Sequence, residues 1–392
     1  MAGEDKKRIA TLKKYVMELH QGGNPEDLYH QYKEDIDSVT PQETFTIFND
    51  LLDDKLKADD VLVFIEHAID AFEKSLSAYQ YDDIHNYKFL KDLKDENDAL
   101  LHRIDEIEKL LENDDLNTVL NELSQKADEL GAFIPHYVKK ETILFPYMEK
   151  NDDKFVGVSI MWALHDVVRN RLKKVTGIKD EAKIDSAKIR HRFAALFKSM
   201  RGLTNQEKLI LFPSAIETLS KEEWEEMYKQ SFEYTFPFIN KVADVDHVEE
   251  KVDYGDYLLK TETGELTFNQ IVRILDTLTI DLTFVDENNK VRYFSKAKDR
   301  FFPRSPAVIG REVKNCHPPD SVHVVEKIVE EFKNGTKDVA KFWIDLKGKK
   351  ILIQFFALRD QDNNYKGVLE IAQDITEIQK LEGERRLLDW DK

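Results

Sequence analysis

The chain has 392 residues, 41% of them hydrophobic, enough for two or three domains with packed cores. A net charge of -18, with 34% charged residues, argues against nucleic acid and anionic membrane surfaces as partners, which need clustered Lys and Arg. No apolar run approaches the roughly 18–20 residues of a membrane span, the N-terminal residues lack the apolar core of a signal peptide, and one cysteine, Cys316, fits a reducing compartment, so a cytoplasmic protein is expected.

Residues 4–80 read as a helical domain. Leu12, Val16 and Leu19 keep helical spacing, and His20-Gln-Gly-Gly-Asn-Pro25 breaks that helix. Asn24-Pro25 starts the next one, and Thr40-Pro-Gln-Glu43 has the form of a capping box. Ala58-Asp-Asp opens a further helix through Val61-Leu-Val-Phe-Ile65. His67 is the one notable side chain here, and a structural histidine is the plainer reading.

Residues 85–235 carry longer helices. Leu90, Leu93, Leu100, Ile104, Ile107 and Leu111 form one stripe, which Asn113-Asp-Asp115 ends. A second helix is expected from Leu116 to Lys150, kinked near Gly131 and Pro135. It contains His136-Tyr-Val-Lys-Lys-Glu141, followed by Ile143-Leu-Phe-Pro146. Ile210-Leu-Phe-Pro213 repeats the latter motif, and between the copies lies Met161-Trp-Ala-Leu-His-Asp166. Two related helices and an inward histidine on a third suggest a four-helix bundle, in which His and Glu from facing helices can hold metal. His136 and Glu141 stand about 140° apart on an ideal helix, so one ion could join them only with local distortion. Ser220 and Glu223 form a capping box for a short tail helix.

Residues 236–264 are polar and aperiodic and read as a linker. From 265 to 376 the period changes. Leu282-Thr-Phe-Val285 and Val291-Arg-Tyr-Phe294 flank the hairpin signature Asp286-Glu-Asn-Asn-Lys290. A helix at 322–332 and strands at 339–346, 350–358 and 365–374, the last two joined by a turn at Asp362-Asn-Asn364, complete an α+β pattern. Residues 377–392 are read as a charged outgoing helix. Cys316 and His317 precede Pro318-Pro319, which fix the backbone. They are candidate cofactor-binding residues, as ligands of haem or a metal or as a redox-active thiol; a loop merely shaped by the prolines is the alternative.

The His-x4-Glu segment with its Leu-Phe-Pro repeat and the Met-Trp…His-Asp segment resemble a hemerythrin-like cation-binding domain. Asp281-Leu-Thr-Phe-Val-Asp286, Val308-Ile-Gly-Arg-Glu-Val313 and Asp374-Ile-Thr376 resemble a PAS sensor domain. Residues 10–80 resemble the uncharacterised helical domain that often precedes these two modules. The resemblance implies an α plus α+β protein: a helical N-terminal domain, a four-helix bundle, and a PAS domain with an antiparallel five-stranded sheet. It implies non-haem iron held by His136, Glu141 and His165, with Glu207 on the fourth helix. Lys88 and Lys91 stand where a first-helix histidine belongs, and Leu203 and Lys208 where the repeat has His136 and Glu141, so that site is expected to be incomplete. The implied function is sensory or regulatory, without catalysis, and its output passes to a signalling protein partner or a homodimer. A di-iron oxygen-binding or oxidase-type protein and a metal-free interaction module are the alternatives.

Overall fold

The structure is a computed structural model that describes residues 2–53, 58–151, 159–178, 185–241, 257–297, 300–317, 319–346 and 348–384. Two compact units divide the chain: the helical segment Met1–His247, and a second unit made of Val248–Arg304 and Val308–Lys392.

The helical unit opens with α1 (Ala2–His20), α2 (Pro25–Ile36), α3 (Pro41–Asp53) and α4 (Ala58–Ala78). Their ends follow local chemistry. The Asn24 side chain accepts from the Glu26 and Asp27 amides, and Thr40 and Glu43 close their box in both directions. The His67 side chain lies outside the described residues. These helices share one apolar core with the segments that follow, a continuous cluster from Leu12 to Tyr228. The break expected near residues 80–85 is therefore not a break in packing. Tyr79 Oη donates to Glu217 Oε1 at 2.5 Å across that point.

The bundle's first helix is α5 (Lys88–Leu111). The second is composite: α6 (Leu120–Leu130), a 3-10 turn at Gly131–Phe133, α7 (Ile134–Lys139), a π turn at Lys140–Leu144, and α8 (Phe145–Asn151). The third is α9 (Ser159–Lys173). The fourth joins α10 (Ser186–Gln206), a second π turn at Glu207–Leu211, and α11 (Phe212–Thr218). Helix α12 (Lys221–Ser231) starts on the Ser220–Glu223 capping box. The two wide turns fall at matching places in the repeat. In each, the ring of the coming proline, Pro146 or Pro213, would collide with the carbonyl four residues back in an α-helix. The chain instead opens by one residue, and Phe145 N–H donates to Lys140 O while Phe212 N–H donates to Glu207 O. Helices α3 and α4 pack on the second of these turns.

The second unit begins earlier than the linker reading allowed. Of that expected linker, Asp244–Glu250 lies outside the described residues, but β1 (Leu258–Thr261) and β2 (Gly264–Thr267) form an antiparallel hairpin. Helix α13 (Phe268–Thr277) follows on a Thr267–Gln270 capping box. Then come β3 (Asp281–Asp286), β4 (Val291–Phe294), α14 (Pro319–Lys333), β5 (Val339–Leu346), β6 (Lys349–Arg359) and β7 (Tyr365–Asp374). The sheet order is β4-β3-β7-β6-β5, antiparallel throughout. Asn289 and Asn363 take the left-handed conformation at the two predicted turns. Gly367 is obligatory, since a Cβ there would stand 2.1 Å from the Val285 carbonyl oxygen. The outgoing helix is not observed at 377–384. That stretch holds a single 3-10 turn, Ile378–Lys380, and Gly383 has φ +63°. Leu381 is 77% exposed, so no apolar face is buried to support so short a helix. Residues 385–392 lie outside the described ones.

Candidate functional site

The interior of the bundle is charged. His136, Lys139, Lys140, Glu96, His165 and Glu207 are all 0% exposed, and Glu141 is 3% exposed. His136, at the centre, is held on both sides. Its Nδ1 lies 2.7 Å from Glu96 Oε2 on α5, and its Nε2 lies 3.1 Å from Glu207 Oε2 in the second π turn. The other oxygen of each carboxylate takes a lysine: Lys139 Nζ donates to Glu96 Oε1 and Lys140 Nζ to Glu207 Oε1. Asn97 Nδ2 donates to Glu207 Oε2 at 2.8 Å. The result is a continuous chain, Lys139–Glu96–His136–Glu207–Lys140, drawn from three helices.

A second group adjoins the first. His165 Nδ1 lies 2.7 Å from Glu141 Oε1, and Arg169 Nη2 donates to both Glu141 oxygens at 2.8 Å. The Tyr137 ring touches both groups, 5.6 Å from the His136 ring and stacked 4.5 Å from the His165 ring. The wide turn at 140–144 adds the residue that lets Glu141 share the inner face with His136, which is the distortion the i, i+5 spacing required.

Electrostatics set the protonation of these groups. Burial alone would raise the Glu207 carboxyl, but Lys140 and His136 outweigh it and hold it at about 2. Burial pushes Glu141 up to about 7, against the pull of Arg169. The Lys139 and Lys140 ammoniums are pushed down by burial, opposed by Glu96 and Glu207 respectively. Burial drives His165 well below the usual imidazole value, and Lys140, Arg169 and His136 add to it.

His136, Glu141, His165 and Glu207 are thus brought together, with Glu96 as a carboxylate that sequence reasoning missed. The cations are not the expected ones. Lys88 lies 5.3 Å over the Tyr228 ring, Lys91 pairs with Asp95 at 2.5 Å, and Lys208 is exposed. Lys139 and Lys140 are three and four residues after His136, and Arg169 is four after His165, so helical spacing alone put all three on the inner faces.

A di-iron centre in such a bundle needs about five to seven nitrogen and oxygen donors from four helices. Every carboxylate carries an internal cation, and both His136 nitrogens face carboxylates. Among the five donor residues only His165 keeps a buried ring nitrogen, Nε2, without a hydrogen-bond partner, and one such atom falls far short of a di-iron ligand set. Among the described residues no group of three or more His, Cys, Asp or Glu is placed to hold a metal. The residues do not fit a di-iron centre.

In the sheet-containing unit, a cavity of about 20 Å3 lies between the sheet (Val285, Phe355, Val368) and α14 (Val325, Ile328, Val329). Its polar walls are His317 and Glu370. Arg304 Nη2 donates to Glu370 Oε2 at 2.8 Å. Burial pushes His317 down, Glu370 opposes this and Arg304 reinforces it. Cys316 is not on the cavity wall; it packs beside Val285, Val291 and Val308, with Sγ 3.7 Å from the Glu312 carbonyl oxygen.

A four-helix bundle with imidazoles and carboxylates at its centre defines the hemerythrin-like class, and a five-stranded antiparallel sheet with one flanking helix suits a sensor module. Residues 88–215 match the hemerythrin HHE cation binding domain, and residues 271–376 match the PAS domain. Both matching regions lie behind an N-terminal helical region in the one chain. Similar solved structures include a C-terminal domain from Streptococcus mutans, 31% identical, covering 32% of this chain and 98% of that one at TM-score 0.31. A PAS domain from Colwellia psychrerythraea is 18% identical over 28% and 97%, at TM-score 0.23. A sensory box sensor histidine kinase from Vibrio cholerae is 12% identical over 27% and 89%, at TM-score 0.22. No curated protein matches the chain significantly. Among the described residues no helix is long and apolar enough to cross a membrane.

Proposed function

We propose that this is a cytoplasmic sensory or regulatory protein without catalytic activity, in which the PAS domain responds to a small hydrogen-bonding molecule. The observation that carries the reading is the placement of His317 and Glu370 as the polar groups of the PAS cavity. A neutral imidazole can donate or accept, and a carboxylate steadied by Arg304 accepts, so together they suit a small polar ligand. The cavity volume of about 20 Å3 matches roughly one water, far short of a haem. Haem ligation by His317 or Cys316 would require the sheet and α14 to separate widely, whereas a ligand of a few heavy atoms needs only a small widening of this cavity. Glu370 lies on β7, four residues before Asp374, whose carboxylate accepts from the Thr376 amide at 2.9 Å and the Thr376 hydroxyl at 2.6 Å. A shift at Glu370 would reach that junction along one strand, and from there a signalling partner or a second copy of the chain.

The test is an absorption spectrum of the freshly purified full chain, then thermal melts with small carboxylates, amides and imidazole. Expected are no Soret band and a ligand-dependent rise in Tm that His317→Ala abolishes. A Soret band lost in His317→Ala would replace this reading with haem sensing, and melts insensitive to every ligand would remove the cavity from the function.

A further inference from the structure

The bundle has the architecture of a cation-binding domain, yet its carboxylates are paired with side chains of the same protein. We infer that the Lys140 ammonium occupies the place of a metal ion, and that the donors around it form a latent divalent-cation site that opens when this side chain is cut back.

Geometry carries the argument. His136 Nε2 and Glu207 Oε2 lie 3.1 Å apart, a separation that two ligands of one ion adopt when each sits about 2.0–2.2 Å from it. Glu96 Oε2, 2.7 Å from Nδ1, already stands where a carboxylate orients a metal-binding imidazole through its other nitrogen. Lys140 Nζ fills the remaining position on Glu207, and all of these atoms are sealed from water. The same ammonium lies 4.9 Å from the centroid of the Tyr137 ring, on which the His165 ring stacks, so it stands at the seam between the two histidine groups. Lysine offers three donors and no lone pair while protonated, so it satisfies acceptor-rich surroundings as a cation does and keeps a real cation out. In the native chain the core is therefore charge-compensated without metal. Shortening Lys140 leaves Glu207 buried and half-paired, a situation that an incoming Zn2+ relieves.

The experiment uses the full chain in three forms: native, Lys140→Ala and Lys140→Met. Each is dialysed against chelator, then melted with and without Zn2+, and its metal content is measured. The native protein is expected to hold less than about 0.1 metal per chain and to melt alike in chelator and Zn2+. Lys140→Ala should melt lower and regain about 5–10 °C at Zn2+ near one hundredfold its Kd, a gain lost in Lys140→Ala/His136→Ala. Lys140→Met, which fills the space with an apolar chain, should gain nothing. Stoichiometric metal in the native protein that disappears in His136→Ala overturns the substitution of ammonium for ion. A folded Lys140→Ala without Zn2+ response overturns the latent site, as does a form that Zn2+ cannot refold.

Discussion

Lys140 and Glu207 are the first residues of the two π turns, the same position in the two copies of the repeat, and they pair with each other inside the bundle. One copy supplies the cation and the other the anion. The repeat has therefore diverged into complementary halves at the position where its helices meet. Both side chains are at most 1% exposed, so neither charge has water to fall back on.

Cutting either partner alone is expected to be severe. Lys140→Met or Glu207→Leu should each cost about 3–5 kcal/mol, because a buried charge is left uncompensated. The double replacement should cost well below the sum, since it removes both charges together. Urea denaturation of the four proteins, followed by far-ultraviolet circular dichroism, measures the coupling. Additive losses would mean the pair does not act as a unit.

Acid stability should depend on Glu207. Its folded value of about 2 lies below the ordinary carboxylate value of 4.5, so the unfolded chain takes up the proton first as pH falls. The stability it contributes is fully present above pH 4.5 and is lost as pH falls towards 2, about 3 kcal/mol in all. Glu141 works the other way: its value of about 7 means its contribution is present below pH 4.5 and fades as pH rises through 7. In Glu207→Gln the loss of stability between pH 4.5 and 2.5 should shrink markedly, with urea midpoints against pH as the measurement. An unchanged slope in that window would assign acid unfolding to other carboxylates.

His317 should be neutral at pH 7, because burial and Arg304 both disfavour its charged form. Its titration midpoint, read from imidazole nitrogen shifts by nuclear magnetic resonance, should fall below 6.5. Glu370→Gln should lower it further, and Arg304→Ala should raise it. A midpoint above 6.5 in the native chain would contradict the enclosed setting assigned to this ring.

Removal of residues 1–80 should destabilise the bundle instead of liberating it. Helices α3 and α4 cover the turn that holds Glu207, and Phe45, Phe48, Phe72 and Leu76 belong to the shared core. The fragment 85–241 is expected to bind a hydrophobic dye and to melt broadly. A sharp transition at the native temperature would show that the N-terminal helices are an independent body.

What the sequence disclosed was governed by neighbours along the chain. The Thr40–Glu43 and Ser220–Glu223 boxes, the Asn289 and Asn363 turns and the five strands are short-range features, and all stand where the pattern put them. The repeat likewise revealed the inward histidines. What escaped depends on distant partners. Lys139 and Lys140 share the inner face with His136 by helical spacing but drew no notice, because their acceptors are 43 and 67 residues away. Glu96 was passed over because the expected ligand at that helix was a histidine. Strand β1 fell within the expected linker because its four residues are all exposed, with no alternation of apolar and polar positions to betray a strand.

The two wide turns also put the helices out of phase with themselves. Each inserted residue turns everything after it by about 100° relative to an unbroken α-helix. Deleting one residue, such as Thr142, would close the turn and force a choice. Either Phe145 and Met148 keep their buried seats and Glu141 swings away from His165, or Glu141 stays and the following helix presents its wrong side to the core. Charge network and packing are locked to each other by a single residue of helical phase, so neither can drift in sequence without the other.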